Sequence, residues 1–233
     1  NYHRLALDTL CMVEVWRQRF QAPPFSATYK TRLAAATEWL RAMVDPLTGE
    51  APNLGANDGA RLLPLTDTPY GDCRPSVQLA SVLFADAVAY QEEDIWDAPL
   101  RWLAVPRPQR TLPPRKIQSF DDGGYTVLRT PSEDITLLFR YPRFRFRPSH
   151  SDALHVDLWK DGVNLLRDGG SYSYFDLEWL HYFTGVRSHN TVQFDGREQM
   201  PRLGRFLFGE WLKTTFYEPL QEEGDSCSIA AGY

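Results

Sequence analysis

At 233 residues, with 43% hydrophobic and 24% charged side chains, the chain is able to bury a real core and is not a disordered polymer. Its 25 basic and 30 acidic residues are interspersed and leave a formal charge of -5, which argues against a nucleic-acid footprint. The apolar stretch around Leu79 to Ala89 is interrupted by Asp86 and too short for a membrane span, and Cys11, Cys73 and Cys227 show neither zinc-finger nor redox spacing.

Leu5, Met12, Trp16 and Phe20 recur near helical spacing without Gly or Pro between them, which predicts a first helix over Leu5 to Phe20. A second is expected after Pro23-Pro24, with Ser26 as N-cap and Leu33, Thr37, Leu40 and Val44 on one face, stopped by Asp45-Pro46. After a Gly- and Asn-rich loop, Pro75 suits the first turn of a third helix, in which Val77, Ala80, Leu83, Ala87 and Val88 face inward and which ends near Tyr90. Residues 1–105 therefore read as α-helical hairpins.

Pro106, Pro108, Pro113 and Pro114 mark residues 106–116 as an extended connector. Beyond it, residues 117–233 change to short β-type runs at Tyr125 to Arg129, Ile135 to Phe139, Leu154 to Trp159, Val163 to Leu166, Thr191 to Phe194 and Phe206 to Leu212. An α+β chain is expected, its second part an antiparallel sandwich. The sequence opens on Asn1 rather than Met and stops in what reads as a strand, so it is taken as a piece of a longer protein.

His150, His155 and His189 lie among Asp152, Asp157 and Asp168, and imidazole nitrogen with carboxylate oxygen is what a borderline divalent ion such as zinc accepts. The plainer reading is a set of polar residues on the wet face of strands. Alternation turns His155, Asp157 and Trp159 away from the core, opposite to Leu154, Val156 and Leu158. A two-residue turn at Asp161-Gly162 then pairs Leu158 with Leu165 and sets His155 opposite Asp168, so periodicity leaves His150 and His155 both open as ligands. Arg143, Arg145 and Arg147, interleaved with Phe144 and Phe146, would share one face of a strand, an arrangement suited to an acidic polysaccharide.

The run His150-Ser151-Asp152-Ala153-Leu154-His155-Val156-Asp157-Leu158-Trp159, then Arg167-Asp168-Gly169-Gly170-Ser171-Tyr172, resembles the start of the β-domain of heparinase II/III-like proteins. Ser188-His189-Asn190-Thr191-Val192 with Asp195-Gly196-Arg197-Glu198-Gln199 resembles that family's His-Asn-Thr signature. Upstream, Asn1-Tyr2-His3-Arg4 and the Pro52 to Gly59 loop look like loops of its helical (α/α) toroid.

The resemblance implies the C-terminal part of a toroid followed by a β-sandwich, a periplasmic or secreted setting, and a polysaccharide lyase that cleaves uronic-acid chains by β-elimination. It matches His150, Asp168 and His189 to the ligands of a structural zinc ion, and Asn1 to the residue that neutralises the uronate. Tyr70 and Tyr172 are the candidates for proton transfer, with His3 two residues from Asn1, while Arg145, Arg147 and Tyr174 are candidates for holding the acidic polysaccharide. Where the lyases usually carry His-x-His-x-Asp, this chain has Pro148-Ser149-His150-Ser151-Asp152, and proline cannot move a proton. The alternative expectation is thus a non-catalytic glycan-binding protein acting in exopolysaccharide synthesis or export.

Overall fold

The computed structural model describes residues 1–62, 64–224 and 226–233. The chain divides into two compact units, Asn1–Ala51 with Gly59–Arg115, and Pro52–Asp58 with Lys116–Tyr233. No helix among the described residues is long and apolar enough to cross a membrane.

The first unit is built on α1 (Tyr2–Arg19), α2 (Ala27–Met43) and α3 (Arg74–Ala85), with a short α4 (Ala98–Trp102). Ser26 caps α2 as expected, its hydroxyl accepting the Tyr29 N–H at 3.2 Å. The α2 face is also as expected, with Leu33, Thr37, Leu40 and Val44 buried. In α1 the buried stripe is instead Leu7, Cys11 and Val15, while Trp16 and Phe20 are exposed. Arg4 and Asp8 join that stripe because Arg4 has partners inside: it donates to the Tyr70 carbonyl at 2.5 Å and its guanidinium lies over the Tyr70 ring. Helix α3 stops five residues short of Tyr90, since Asp86 takes a left-handed conformation (φ 49°) as its C-cap.

In the second unit, β1 (Gln118–Phe120), β2 (Tyr125–Arg129), β3 (Ile135–Arg140), β4 (Val156–Lys160) and β5 (Val163–Leu166) form one antiparallel sheet in sequence order. Two hairpins come after it, β6 (Arg202–Gly204) with β7 (Leu207–Phe208) and β8 (Phe216–Glu223) with β9 (Ser226–Gly232). The chain is thus mixed α and β with antiparallel sheets. Helix α5 (Leu177–Thr184), capped by Asp176, interrupts the β part where no helix was expected. The expected strand at Thr191 to Phe194 is absent, that of Phe206 to Leu212 shrinks to β7, and Tyr141 to Arg147 is not a strand, so the arginine run has no shared strand face.

Strand β4 departs from its expected course in two places. Leu154 is left-handed (φ 62°), so the strand starts at Val156, and Asp161-Gly162 turns as expected but a bulge pairs Leu158 with Leu166 rather than Leu165. The face carrying His155, Asp157 and Trp159 is the buried one, with Asp157 level with Leu138 and Val127 across the sheet, and the alternation reading had it reversed.

The Pro52–Asp58 segment belongs to the second unit. The Asn57 N–H donates to Ser171 Oγ (3.1 Å), which donates to the Gly55 carbonyl (3.3 Å). Gly170, at φ +72°, leaves room for Asn53: a Cβ there would meet the Asn53 amide nitrogen at 1.9 Å.

Gly124 is under a similar constraint, with φ +72° and a hypothetical Cβ 2.1 Å from the Tyr141 carbonyl. Gly124→Ala is expected to destabilise the second unit by about 2–4 kcal/mol, from left-handed strain plus displacement of β3's end. Urea unfolding of wild type and variant, with matched slopes, measures it.

Candidate metal centre

His150, Asp168 and His189 come from three different loops. His150 lies between Pro148 and the Ser151 amide, which donates to the Thr184 carbonyl at the end of α5 (2.9 Å). Asp168 comes just after β5, and its turn is pinned where the Gly169 N–H donates to the Ser188 carbonyl (3.0 Å). His189 comes after a single helical turn at Val186–Ser188. One potential ligand atom from each of the three lies within 4.8 Å of the others.

All three are buried, as are His155, Asp157 and Asp152, so the wet-face reading does not hold. Six such groups out of water require compensation. Asp168 Oδ1 accepts the Gly170 N–H at 2.7 Å and its Oδ2 meets His189 Nδ1 at 3.1 Å. Burial works against its ionised form, yet the His189 hydrogen bond and the neighbouring His189 and His155 imidazoles hold the carboxyl below its ordinary range. Burial lowers the His150 pKa to about 4, so this ring is neutral at pH 7. Both His150 nitrogens and His189 Nε2 have no hydrogen-bond partner among the described residues.

These features fit a zinc ion. Ligands about 2.0–2.2 Å from a tetrahedral zinc sit roughly 3.3–3.5 Å apart, and the 4.8 Å span of the three residues' donor atoms is within a small side-chain adjustment of that. An anionic carboxylate, a neutral imidazole and orphaned ring nitrogens are the protonation states and lone pairs the ion needs.

The surroundings are fixed by residues whose roles the sequence reading missed. Asn190 receives the Val156 N–H on its carbonyl (3.0 Å), gives its own N–H to His155 Nδ1 (3.1 Å) and its side-chain amide to the Arg167 carbonyl (3.1 Å). Gln199 grips Ala153 from both sides, accepting its N–H at 3.0 Å and donating to its carbonyl at 3.1 Å, and donates to Thr191 Oγ1 at 3.1 Å. Arg140 pairs with Asp152 and lies 5.4 Å over the rings of both Tyr125 and Phe144. The Asn-Thr and Glu-Gln parts of the signature were the available signal.

Other candidates are distributed over the two units. In the first, Asn1 precedes α1 as its N-cap, Tyr70 lies under Arg4, and His3 Nε2 is 2.8 Å from the Ala36 carbonyl with its ring against Trp39. In the second, Tyr172 is 67% exposed and its ring neighbours Trp179 and Phe183. Arg147 and Tyr174 both approach the Phe206 ring, whereas Arg145 pairs with Asp122 at 2.6 Å.

A family model described as heparinase II/III-like, C-terminal, matches residues 112–233. No curated protein sequence matches significantly. Two structures of heparinase III, the BT4657 gene product, one with methylated lysines, match 99% of this chain with a TM-score of 0.69 at 18% identity, and 32% and 33% of their own chains are covered. A further crystal structure of heparinase III matches 84% of this chain and 29% of its own, with a TM-score of 0.52 at 16% identity. The chain thus spans about a third of these structures, and at such identities the likeness is one of fold.

Gln199→Leu strands the buried Ala153 N–H, while the Thr191 hydroxyl still donates to the Ala153 carbonyl, and is expected to cost about 1–3 kcal/mol, read by denaturant unfolding. His3 supplies a pH signature. Burial outweighs its hydrogen bond to the Ala36 carbonyl and lowers its pKa below 6.5, so the unfolded chain binds more protons there. Its contribution is full above pH 6.5 and is lost as pH falls towards the folded pKa. The stability difference between wild type and His3→Gln should therefore shrink from pH 7 to pH 5, measured by melting temperature at each pH.

Proposed function

The chain belongs to the heparinase II/III-like family, and from that premise we propose that the protein is a polysaccharide lyase acting on an acidic, uronic-acid-containing glycan by β-elimination. The observation that carries this reading is the family match over residues 112–233, which contains the buried His150, Asp168 and His189 set. On this reading the first unit is part of an (α/α) toroid and the second part of a β-sandwich.

The reaction removes the C5 proton of the uronate, expels O4 from C4 and leaves a C4=C5 double bond, so one group takes a proton, one gives a proton, and one offsets the charge that develops on the carboxylate. Asn1 is assigned to the carboxylate, its amide donating to it. Tyr70 and Tyr172 are assigned to proton transfer, and the exposure of Tyr172 supports its access to a polymer in solvent. His3 is the weaker candidate, because its ring is engaged by Ala36 and Trp39. Arg147 and Tyr174, converging on Phe206, and Arg145 bind the acidic chain.

His150, Asp168 and His189 hold a divalent ion, zinc by donor chemistry, which when bound supplies a fixed positive charge that ties three loops together. Pro148 is buried and has no proton to give, so the tyrosines carry more of the chemistry than in relatives with His-x-His-x-Asp.

Purified full-length protein is expected to hold one zinc per chain, and His150→Ala or His189→Ala to lose it, by metal analysis. Retention in both variants would refute the ligand set. Against a panel of uronic-acid polysaccharides, absorbance of the unsaturated product should appear for wild type, fall ~100- to 1,000-fold in Asn1→Ala, and fall similarly in one of Tyr70→Phe and Tyr172→Phe. A wild type that binds a polymer but never cleaves one would replace the lyase reading with a glycan-binding role.

A further inference from the structure

We infer that His155 is a positioning residue that holds the Asp168 carboxylate in place with a proton on Nε2, and is not itself a ligand; this rests on His150, Asp168 and His189 being the metal ligands. The Asn190 backbone N–H donates to His155 Nδ1 at 3.1 Å. A ring nitrogen that accepts a backbone N–H presents a lone pair, so the proton of the neutral imidazole is on Nε2, and a protonated nitrogen has no lone pair left for a metal. No side-chain substitution at position 190 other than proline removes that backbone donor.

Nε2 is fully buried and, among the described residues, makes no hydrogen bond within the ordinary range. It faces two carboxylates, Asp168 Oδ2 at 3.6 Å and Asp157 Oδ2 at 3.9 Å. The oxygen it faces on Asp168 is the one that His189 meets, because the other accepts the Gly170 N–H. Asp157 is anchored independently: its Oδ1 accepts the Trp159 indole N–H at 2.6 Å and its Oδ2 the Asp168 N–H at 3.3 Å. His155 is therefore an N–H donor fixed from behind by the chain at Asn190 and directed at the carboxylate whose orientation the ion requires, the part played by outer-shell partners of metal ligands.

Zinc affinity is measured by competition with a chromophoric chelator, and cobalt(II) absorption spectra are recorded, on full-length wild type, His155→Ala and His155→Gln. His155→Ala should bind zinc about 10- to 100-fold more weakly, still at one ion per chain, with the cobalt band unmoved. His155→Gln, whose amide nitrogen reaches to the same region, should recover affinity to within roughly threefold of wild type. Alanine binding as tightly as wild type, glutamine no better than alanine, or a cobalt band that shifts in either variant overturns the role, the last by making His155 a ligand. Should His155→Ala not fold, His155→Gln decides: near-wild-type affinity with the unmoved band supports the role, and any other result overturns it. A wild type that takes up neither ion overturns the metal reading and this role with it, and is distinct from a failure confined to the variants.

Discussion

Taking several ionisable side chains out of water in one place is the constraint on which the second unit's organisation depends. Asp157 and Asp168 are buried beside His155 and His189, and a bare buried carboxylate costs far more than any single packing contact returns. The chain meets that cost with fixed dipoles. Backbone N–H groups of Gly170 and Asp168, the Trp159 indole and the Asn190 amide are all directed into the cluster. Loops that otherwise lack regular structure are ordered by these bonds.

The same constraint explains which parts of the molecule are legible in sequence. Helix α2 is local: its cap, its apolar face and its stop are written in consecutive residues, and so is the Asp161-Gly162 turn. The buried face of β4 is not local. Alternation assigns polar residues to water, and here His155 and Asp157 are inside because their partners arrive from residues 168 and 190. Arg4 in α1 misleads in the same way, since its acceptor is the Tyr70 carbonyl, far along the chain.

The candidate metal set was legible as a cluster of residue types, and the choice of His150, Asp168 and His189 within it only through family resemblance, because spacing does not tell which histidine has a free lone pair. That distinction depends on one backbone N–H at Asn190, a group every residue except proline has and no motif records. The missed α5 left a weaker trace: Asp176 as a cap and only Leu180 and Thr184 buried on its inner side, in a segment too short for periodicity to stand out. Gln199 is legible only once Ala153 is known to be buried, since its two-sided grip depends on a neighbour 46 residues away.

The Pro52–Asp58 segment makes the second unit discontinuous in sequence: seven residues placed between α2 and α3 complete a body whose remainder starts at Lys116. No single cut in the chain separates the two units with each intact. A fragment starting at the proline-rich stretch lacks the strip that Gly170 leaves room for and Ser171 bonds to. During synthesis that strip emerges well before the turn it docks on, so the second unit reaches its finished form only when a segment made early is joined by one made late. The helical half is, in that sense, a tether as well as a fold of its own, setting the local concentration at which the two pieces meet.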